Sequence, residues 1–146
     1  NLKRHGLYVA GGFILGNPDD DAASIRSVFH TARALPIDHA IMWCLTPYPG
    51  TDAREDLLAE GLVTNAEGYD CYNGFICNVR TRQLDHDRLV RLIASEGLKL
   101  YLNPLFVFRG DLWRRSPGVL GAYYATIAEF LTQGYRNRLF QSRHRW

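Results

Sequence analysis

The sequence lacks the features that mark several specialised classes of protein. No apolar run approaches the roughly 20 residues that cross a bilayer, and no signal-peptide pattern opens the chain. Phosphate-binding glycine loops, nucleophile elbows and paired catalytic carboxylates are also missing. We therefore expect a cytoplasmic protein without membrane spans, which leaves a peripheral contact with a membrane open.

Cysteine is scarce, and this excludes two kinds of scaffold. Cys44, Cys71 and Cys77 are too few and oddly counted for a disulfide framework. Cys71 and Cys77 are six residues apart, which fits no common zinc or iron–sulfur spacing. We interpret all three as small buried or half-buried thiols in a reducing compartment.

The composition is that of a foldable chain with a basic tail. Its 146 residues, 47% of them hydrophobic, suffice for one packed domain and carry a net charge of +2. Residues 109–146, the basic tail, hold seven arginines against two carboxylates. Such a tail is typical of a solvated helix face or a docking surface, and we do not expect it to bind nucleic acid.

Two strand–helix units are predicted in the first part of the chain. Residues 7–15 and 39–45 are apolar runs of strand length, and the first is predicted to be buried on both faces. Asp20 or Asp21 caps the first helix, and Thr51 or Asp52 caps a shorter one. The apolar stripe of the first helix comprises Ile25, Val28, Phe29, Ala32 and Leu35. This order predicts an α/β fold with adjacent parallel strands.

The pattern changes after Gly61. Residues 63–83 are irregular, with a short strand expected at 74–79. Asp85 is expected to cap a helix whose stripe holds Leu89, Ile93 and Leu100, and a last amphipathic helix is expected near residues 119–131. We therefore divide the chain into residues 1–62 and a mostly helical extension, residues 63–146.

Two strand–helix units do not complete a barrel and leave strand edges exposed. The chain also begins at Asn1 rather than Met. We expect it to be a piece of a longer protein. In parallel sheets, ligands bind at the carboxyl ends of the strands, and the stretches GNPDD and TPYPGT both lie at that end of their strands.

The first of these loops, GNPDD, follows a strand with glycines. Gly12 and Gly16 either clear space for a flat ligand or serve only a tight turn, and spacing alone favours the turn. Asn17 and Asp19 either offer polar groups to that ligand or help to start the helix.

The second loop, TPYPGT, is stiffened by Pro47 and Pro49. An extended loop of this kind presents peptide groups in fixed directions, which suits the edge of a purine. The alternative is a rigid connector that only seats the next helix, and a cis Tyr48–Pro49 bond stays open. Among nearby aromatic residues, Trp43 is expected in the core, whereas Tyr69, Tyr72 and Phe75 either line a pocket or cover a barrel mouth.

Taken together, three segments resemble a known family. They are GFILGNPD from Gly12, WCLTPYPGT from Trp43 and EGL from Glu60. Their order and spacing resemble the later part of a radical S-adenosylmethionine enzyme core, in the branch whose members often carry a cobalamin-binding domain. The likeness covers roughly residues 6–62.

The resemblance implies the last two strand–helix units of a partial (β/α)6 TIM-like barrel. It also implies contacts with the adenine of S-adenosylmethionine from Gly12, Ile14, Gly16, Asp19, Leu45, Thr46 and Pro47. Asp19 stands where the family motif G-x-I-x-G-x-x-E has Glu, so the resemblance does not assign its side chain a role.

The family's C-x-x-x-C-x-x-C loop, which holds a [4Fe–4S] cluster, is not in this chain. The resemblance therefore implies a cluster bound by an upstream segment or a separate chain, and an isolated chain without activity. The parent enzyme would use S-adenosylmethionine, with cobalamin left open, for methyl transfer, cyclisation or oxidation of a small or lipid-like substrate. The alternatives are a non-catalytic barrel remnant that binds a partner, and a fragment of a different barrel enzyme.

Overall fold

Two parallel strands and the helices that cover one of their faces form the described part of the chain. The computed structural model describes residues 2–107 and, beyond them, positions 118, 121, 124, 125, 127, 128 and 132. The elements are β1 (Ala10–Leu15), α1 (Ala22–Ala34), β2 (His39–Cys44), α2 (Asp52–Ala59), α3 (His86–Tyr101) and the single turn α4 (Pro104–Val107). The predicted α/β class is confirmed.

The strands pair as predicted, but only one face of their sheet is covered. β1 and β2 are parallel neighbours, with Gly12 beside Ile41. Helices α1 and α3 cover the face that carries Leu15, whereas the other face leaves Ile14 56% exposed. Burial of the first strand on both faces is therefore a wrong expectation for the described residues. β1 is also shorter than predicted, because it begins at Ala10.

The predicted helix caps are confirmed. Asp21 accepts hydrogen bonds from the N–H groups of Ala23 and Ser24, while the Ser24 hydroxyl accepts one from the Asp21 N–H. The side chains of Thr51 and Asp85 cap α2 and α3 with one bond each, from the N–H groups of Arg54 and Arg88. These side chains satisfy N–H groups that the first turn of a helix leaves unpaired.

The core lies between the sheet and the two longest helices. Its largest fully buried apolar side chains are Phe29, Leu15, Ile25, Leu89, Leu100 and Val79. Tyr101 completes it, because its hydroxyl donates to the Ala40 carbonyl at 2.9 Å and burial raises its pKa to about 12. Leu35, which we predicted on the α1 stripe, is instead 40% exposed, since the chain leaves the helix there in an extended conformation.

Residues 63–83 contain no strand, so the strand predicted at 74–79 is wrong. A single antiparallel bridge joins Val63 and Val79. The fully buried Asn78 donates its side-chain amide to the Cys71 carbonyl at 2.9 Å, in place of ladder bonds from a neighbouring strand. A buried side-chain amide thus satisfies backbone groups that a strand would have paired.

The C-terminal predictions fall largely outside the described residues. The described positions within the helix expected at 119–131 are helical. Most of the basic tail lies outside the residues that the structure describes. No helix in the described part of the chain is both long and apolar enough to span a bilayer. The division at residue 62 stays a prediction; the hydrophobic core includes residues from both sides of it.

Gly16 is required by backbone geometry. Its φ of +86° lies in the left-handed region, and a Cβ there would sit 3.4 Å from both Leu89 and Val79. L-residues with side chains avoid this conformation, so the turn that ends β1 depends on glycine.

We expect Gly16→Ala to lower the free energy of unfolding by about 1–2 kcal/mol through left-handed strain. Urea unfolding followed by circular dichroism measures the change. Gly121→Ala is the matched control, since Gly121 is helical and a Cβ there meets nothing within 4 Å. A Gly16→Ala variant as stable as the Gly121→Ala variant would contradict the assignment.

The buried carboxylate of Glu96 joins α1 to α3. It accepts from Lys99 Nζ at 2.7 Å and pairs with Arg33 Nη2 on α1 at 3.4 Å. These cations, Lys99 first, outweigh the effect of burial and hold the pKa of Glu96 below its ordinary value. The ionised form is therefore the one that stabilises the folded state.

We expect Glu96→Gln to lower the free energy of unfolding by about 1 kcal/mol at neutral pH. Because the folded-state pKa is lowered, this contribution is present above the ordinary pKa of glutamate and is lost as pH falls through the folded value. Urea unfolding at about pH 7 and about pH 3 measures the difference, which should shrink in acid. Glu67→Gln, at an exposed glutamate, is the control. An equal deficit at both pH values argues against the ion pairs.

Candidate functional site

The carboxyl ends of β1 and β2 meet at one edge of the sheet. The N–H of Leu45, just after β2, donates to the Leu15 carbonyl at 2.8 Å, so the strands stay paired to their tips. The loops at residues 16–20 and 46–51 therefore leave the sheet side by side. This confirms the prediction that the two strand tips are neighbours.

The first loop satisfies its own backbone. The Asp20 carboxylate accepts from the N–H groups of Gly16 and Asn17, both at 2.9 Å, and from the Ser24 hydroxyl at 3.0 Å. Asp21 occupies the N–H groups at the start of α1. The N–H groups of Gly16 and Asn17 at the end of β1, and those of Ala23 and Ser24 at the start of α1, thus have protein partners.

The two β1 glycines have different surroundings. A Cβ on Gly12 would lie 3.4 Å from Nε1 of Trp43, so the indole lies beside Gly12 on the open face. Gly16 is buried, and its open side points to Leu89 and Val79 in the core. Gly16 therefore serves the turn, whereas Gly12 leaves space that an aromatic ring already borders.

Asp19 lies at the exposed rim of the first loop. It forms an ion pair with Arg82, which also pairs with Glu60 at 2.7 Å after α2. Hydrogen bonding to Arg82 lowers the pKa of Glu60. These contacts connect the two strand–helix units across the surface, and they give the Asp19 side chain a protein partner.

The tip of β2 contains a peptide group that has no hydrogen-bond partner among residues 2–107. Pro47 is fully buried, whereas Leu45 and Thr46 are half-buried. Within residues 2–107, the Leu45 carbonyl and the Thr46 N–H form no hydrogen bond, although the N–H of Leu45 does. They belong to one trans peptide and point in opposite directions. This group offers an acceptor on one side and a donor on the other.

An apolar surface adjoins this peptide on the open face of the sheet. Trp43 packs against Phe75, with ring centroids 4.7 Å apart, and a Cβ on Gly74 would come within 2.5 Å of the indole. The Gly74 carbonyl accepts from the Cys44 N–H at 2.6 Å, which fixes this segment along β2. Trp43 is thus half-buried outside the hydrophobic core, contrary to our expectation. We call Ile14, Trp43, Leu45 and Thr46 the strand-tip shelf.

Arg54, on the first turn of α2, connects three segments near the strand-tip shelf. Its guanidinium donates to the Pro47 carbonyl at 2.8 Å, the Tyr72 hydroxyl at 2.9 Å and the Ala66 carbonyl at 2.7 Å. It also lies 5.8 Å from the centroid of the Tyr69 ring. The second loop is therefore held against residues 64–72 by one half-buried side chain.

The tyrosines left open by the sequence lie in this region. Tyr72 is buried, and its hydroxyl donates to the Asn65 carbonyl, while Tyr48 donates to the Tyr72 carbonyl at 3.3 Å. Tyr69 is 54% exposed and packs edge-on to Tyr72. Tyr72 therefore supports the loop from beneath, and only Tyr48 and Tyr69 present exposed rings.

A buried polar group lies beneath β2. A hydrogen bond from Cys44, together with the nearby His86, lowers the pKa of Cys77 to about 5. The same contact with Cys77, together with burial, raises the pKa of Cys44. Burial alone would lower the pKa of His86, but Cys77 and the Val79 carbonyl raise it. Nδ1 of His86 lies 3.1 Å from both Val79 O and Thr64 Oγ1. Because all of these groups are buried or half-buried behind the sheet, they anchor residues 77–86.

Sequence reasoning missed Arg54 and the Cys77–His86 contact. Arg54 carried a signal, because a cation in the first turn of a helix opposes the helix dipole and so indicates another partner. The Cys77–His86 contact carried none, since the two residues come together only through the fold of an irregular segment. His39 is the first residue of β2, so it lies at the opposite end of the strand from the two loops.

No group of three or more His, Cys, Asp or Glu side chains in the described ranges is arranged to hold a metal ion. No protein-family model matches the chain. The chain is similar to an uncharacterized methyltransferase of Pyrococcus horikoshii, at 27% identity over 129 residues, which are 84% of this chain and 28% of that protein. The chain therefore spans less than a third of that relative's length.

Proposed function

We propose that this chain supplies the adenine side of an S-adenosylmethionine site in a radical S-adenosylmethionine enzyme. The observation that carries the proposal is the strand-tip shelf, where an unpaired peptide group borders an exposed apolar surface at the carboxyl ends of two parallel strands. Ligands of parallel α/β folds bind at that end. The motif GFILGNPD supplies Ile14 of the shelf, and WCLTPYPGT supplies Trp43, Leu45 and Thr46.

The chemistry of the shelf fits a purine. The Leu45 carbonyl can accept from a 6-amino group, or the Thr46 N–H can donate to a ring nitrogen. Ile14, 56% exposed, and Trp43 offer apolar surface to the flat face of the base. No side chain of the shelf is charged, which suits a neutral base rather than a phosphate.

The fold proposed for the whole protein is a partial (β/α)6 barrel. Two features support it. β1 pairs only with β2 among the described residues, so its outer edge has no strand partner there. The open sheet face is apolar at Ile14 and Trp43, as the inner wall of a barrel would be. We propose that other strands of the same protein, or of a separate chain, cover both.

The reaction we favour is methyl transfer. The similarity to a protein named as a methyltransferase supports it over cyclisation or oxidation, the other outcomes of the family resemblance. S-adenosylmethionine, when bound, supplies the activated group for such chemistry. The residues of this chain would hold and orient the adenine and exclude water from one wall of the site.

The described residues do not fit an iron–sulfur cluster. Cys44, Cys71 and Cys77 are buried, and they are not grouped with other metal-ligating side chains. We propose that a [4Fe–4S] cluster, and cobalamin if the parent uses it, bind another part of the protein. The substrate, whether a small molecule or a lipid-like one, would contact that part as well.

The gene itself offers the sharpest test of the proposed parent. We expect the coding sequence upstream of Asn1 to continue in frame and to encode C-x-x-x-C-x-x-C. Sequencing the locus decides the matter. A start codon directly before the codon for Asn1, with no partner gene for the cluster-binding part, would count against a radical enzyme.

A binding measurement tests the strand-tip shelf. We expect S-adenosylhomocysteine to bind the wild-type chain in calorimetric titration, and Ile14→Asp to weaken binding by about tenfold, because it places a charge on the apolar shelf. Ala10→Asp is the matched control: residue 10 is exposed on the same face at the other end of β1.

Other outcomes favour the other readings. Equal loss of binding in both variants would contradict a site at the strand tips. A wild-type chain that binds no adenosyl ligand would favour a non-catalytic, partner-binding role for the open face and outer edge of the sheet. Binding without preference for adenine would favour a different barrel enzyme.

A further inference from the structure

We infer that Arg54 is a positioning residue for nucleoside recognition, because it fixes the backbone of the second loop next to the strand-tip shelf. The inference rests on the proposed function, which it deepens by naming what sets the selectivity for adenine. Neither GFILGNPD nor TPYPGT includes Arg54.

Arg54 binds the backbone of the second loop close to the Leu45–Thr46 peptide. Arg54 Nη1 donates to the Pro47 carbonyl at 2.8 Å, only one residue beyond the unpaired Leu45–Thr46 peptide. Pro47 is fully buried and its ring fixes φ, so its remaining freedom lies mainly in the direction of that carbonyl. Holding the carbonyl therefore fixes the Thr46–Pro47 peptide, and only the torsions of Thr46, which the following proline restricts, separate it from the Leu45–Thr46 peptide.

Residues 66 and 72 anchor the guanidinium of Arg54. Nη2 donates to the Ala66 carbonyl at 2.7 Å, and Nη1 also reaches the Tyr72 hydroxyl at 2.9 Å. The Tyr72 hydroxyl in turn donates to the Asn65 carbonyl. Only a planar group with several donors at fixed angles reaches all three acceptors at once, which a lysine ammonium does not reproduce.

The partners of the Arg54 guanidinium carry no negative charge. All three acceptors are neutral, and Arg54 has no carboxylate partner within 4.0 Å in the part of the chain that the structure describes. A cation in the first turn of α2 also opposes the helix dipole. Asp52 and Glu55 share this turn but form no ion pair with Arg54 among the described residues, so the three directed hydrogen bonds hold its side chain in place. This is the pattern of a side chain kept for geometry.

Loss of Arg54 should change which base the site prefers, and not only how tightly it binds. The Leu45 carbonyl and the Thr46 N–H face opposite ways, so a rotation of their peptide exchanges acceptor for donor. Adenine has an amino group at position 6 where hypoxanthine has a carbonyl. Loss of Arg54 should thus reduce the preference for adenine over hypoxanthine.

The test compares S-adenosylhomocysteine with its inosine analogue by calorimetric titration. We expect the wild-type chain to prefer the adenine compound, and Arg54→Gln to reduce that preference by about tenfold. Arg54→Lys, which keeps the charge, should restore little of it. Ile14→Asp should weaken both compounds equally, and Arg88→Gln, at an exposed arginine of α3, should change neither.

A measurement without ligand tests, independently of binding, whether Arg54 holds the second loop in place. Amide hydrogen exchange over residues 45–51 should be faster in Arg54→Gln than in Arg88→Gln, while the cores of α1 and α3 stay protected. If Arg54→Gln unfolds, Tyr72→Phe removes one acceptor of Arg54 and should give a smaller shift in the same direction, both in exchange and in base preference.

The outcomes separate this inference from the proposed function. A wild-type chain that binds neither compound overturns the nucleoside site, and with it the role of Arg54 in recognition. A wild-type chain that prefers adenine, with unchanged preference and exchange in Arg54→Gln and Tyr72→Phe, overturns the role of Arg54 and leaves the proposed site standing.

Discussion

The parallel pairing of β1 and β2 is the constraint on which the rest of the molecule depends. Because the two strands run in one direction and stay paired up to Leu15 and Leu45, their loops leave from the same edge. The helices α1 and α3 then cover a single face, with Phe29 and Leu89 buried between them and the sheet. The first loop (residues 16–20), the second loop (residues 46–51) and the open apolar face therefore meet at one edge of the sheet.

Local patterns predicted the elements well, where short-range chemistry decides the structure. The caps Asp21, Thr51 and Asp85 lie where the sequence predicted them, because each needs only the N–H groups of its own first turn. Gly16 proved to serve the turn that spacing alone had favoured. Strand burial failed at Ile14, because periodicity does not tell what covers a face.

The irregular segment after α2 was beyond local reasoning, and its physics explains why. Asn78 takes the place of ladder partners, so the segment reads neither as a strand nor as a helix. Arg54 contacts Pro47 and Ala66, which only the folded chain brings together. The candidate site was thus half predictable: its two loops follow from sequence order, whereas the side chain that fixes one of them does not.

The carboxylate of Asp20 has a consequence for the order of the first loop. Since it already satisfies the N–H groups of Gly16 and Asn17, the loop after β1 is ordered before anything binds. A contact made at this loop then needs little free energy to order the backbone at residues 16 and 17. The edge that the proposed site occupies thus includes one loop whose backbone is already ordered by the protein's own side chains.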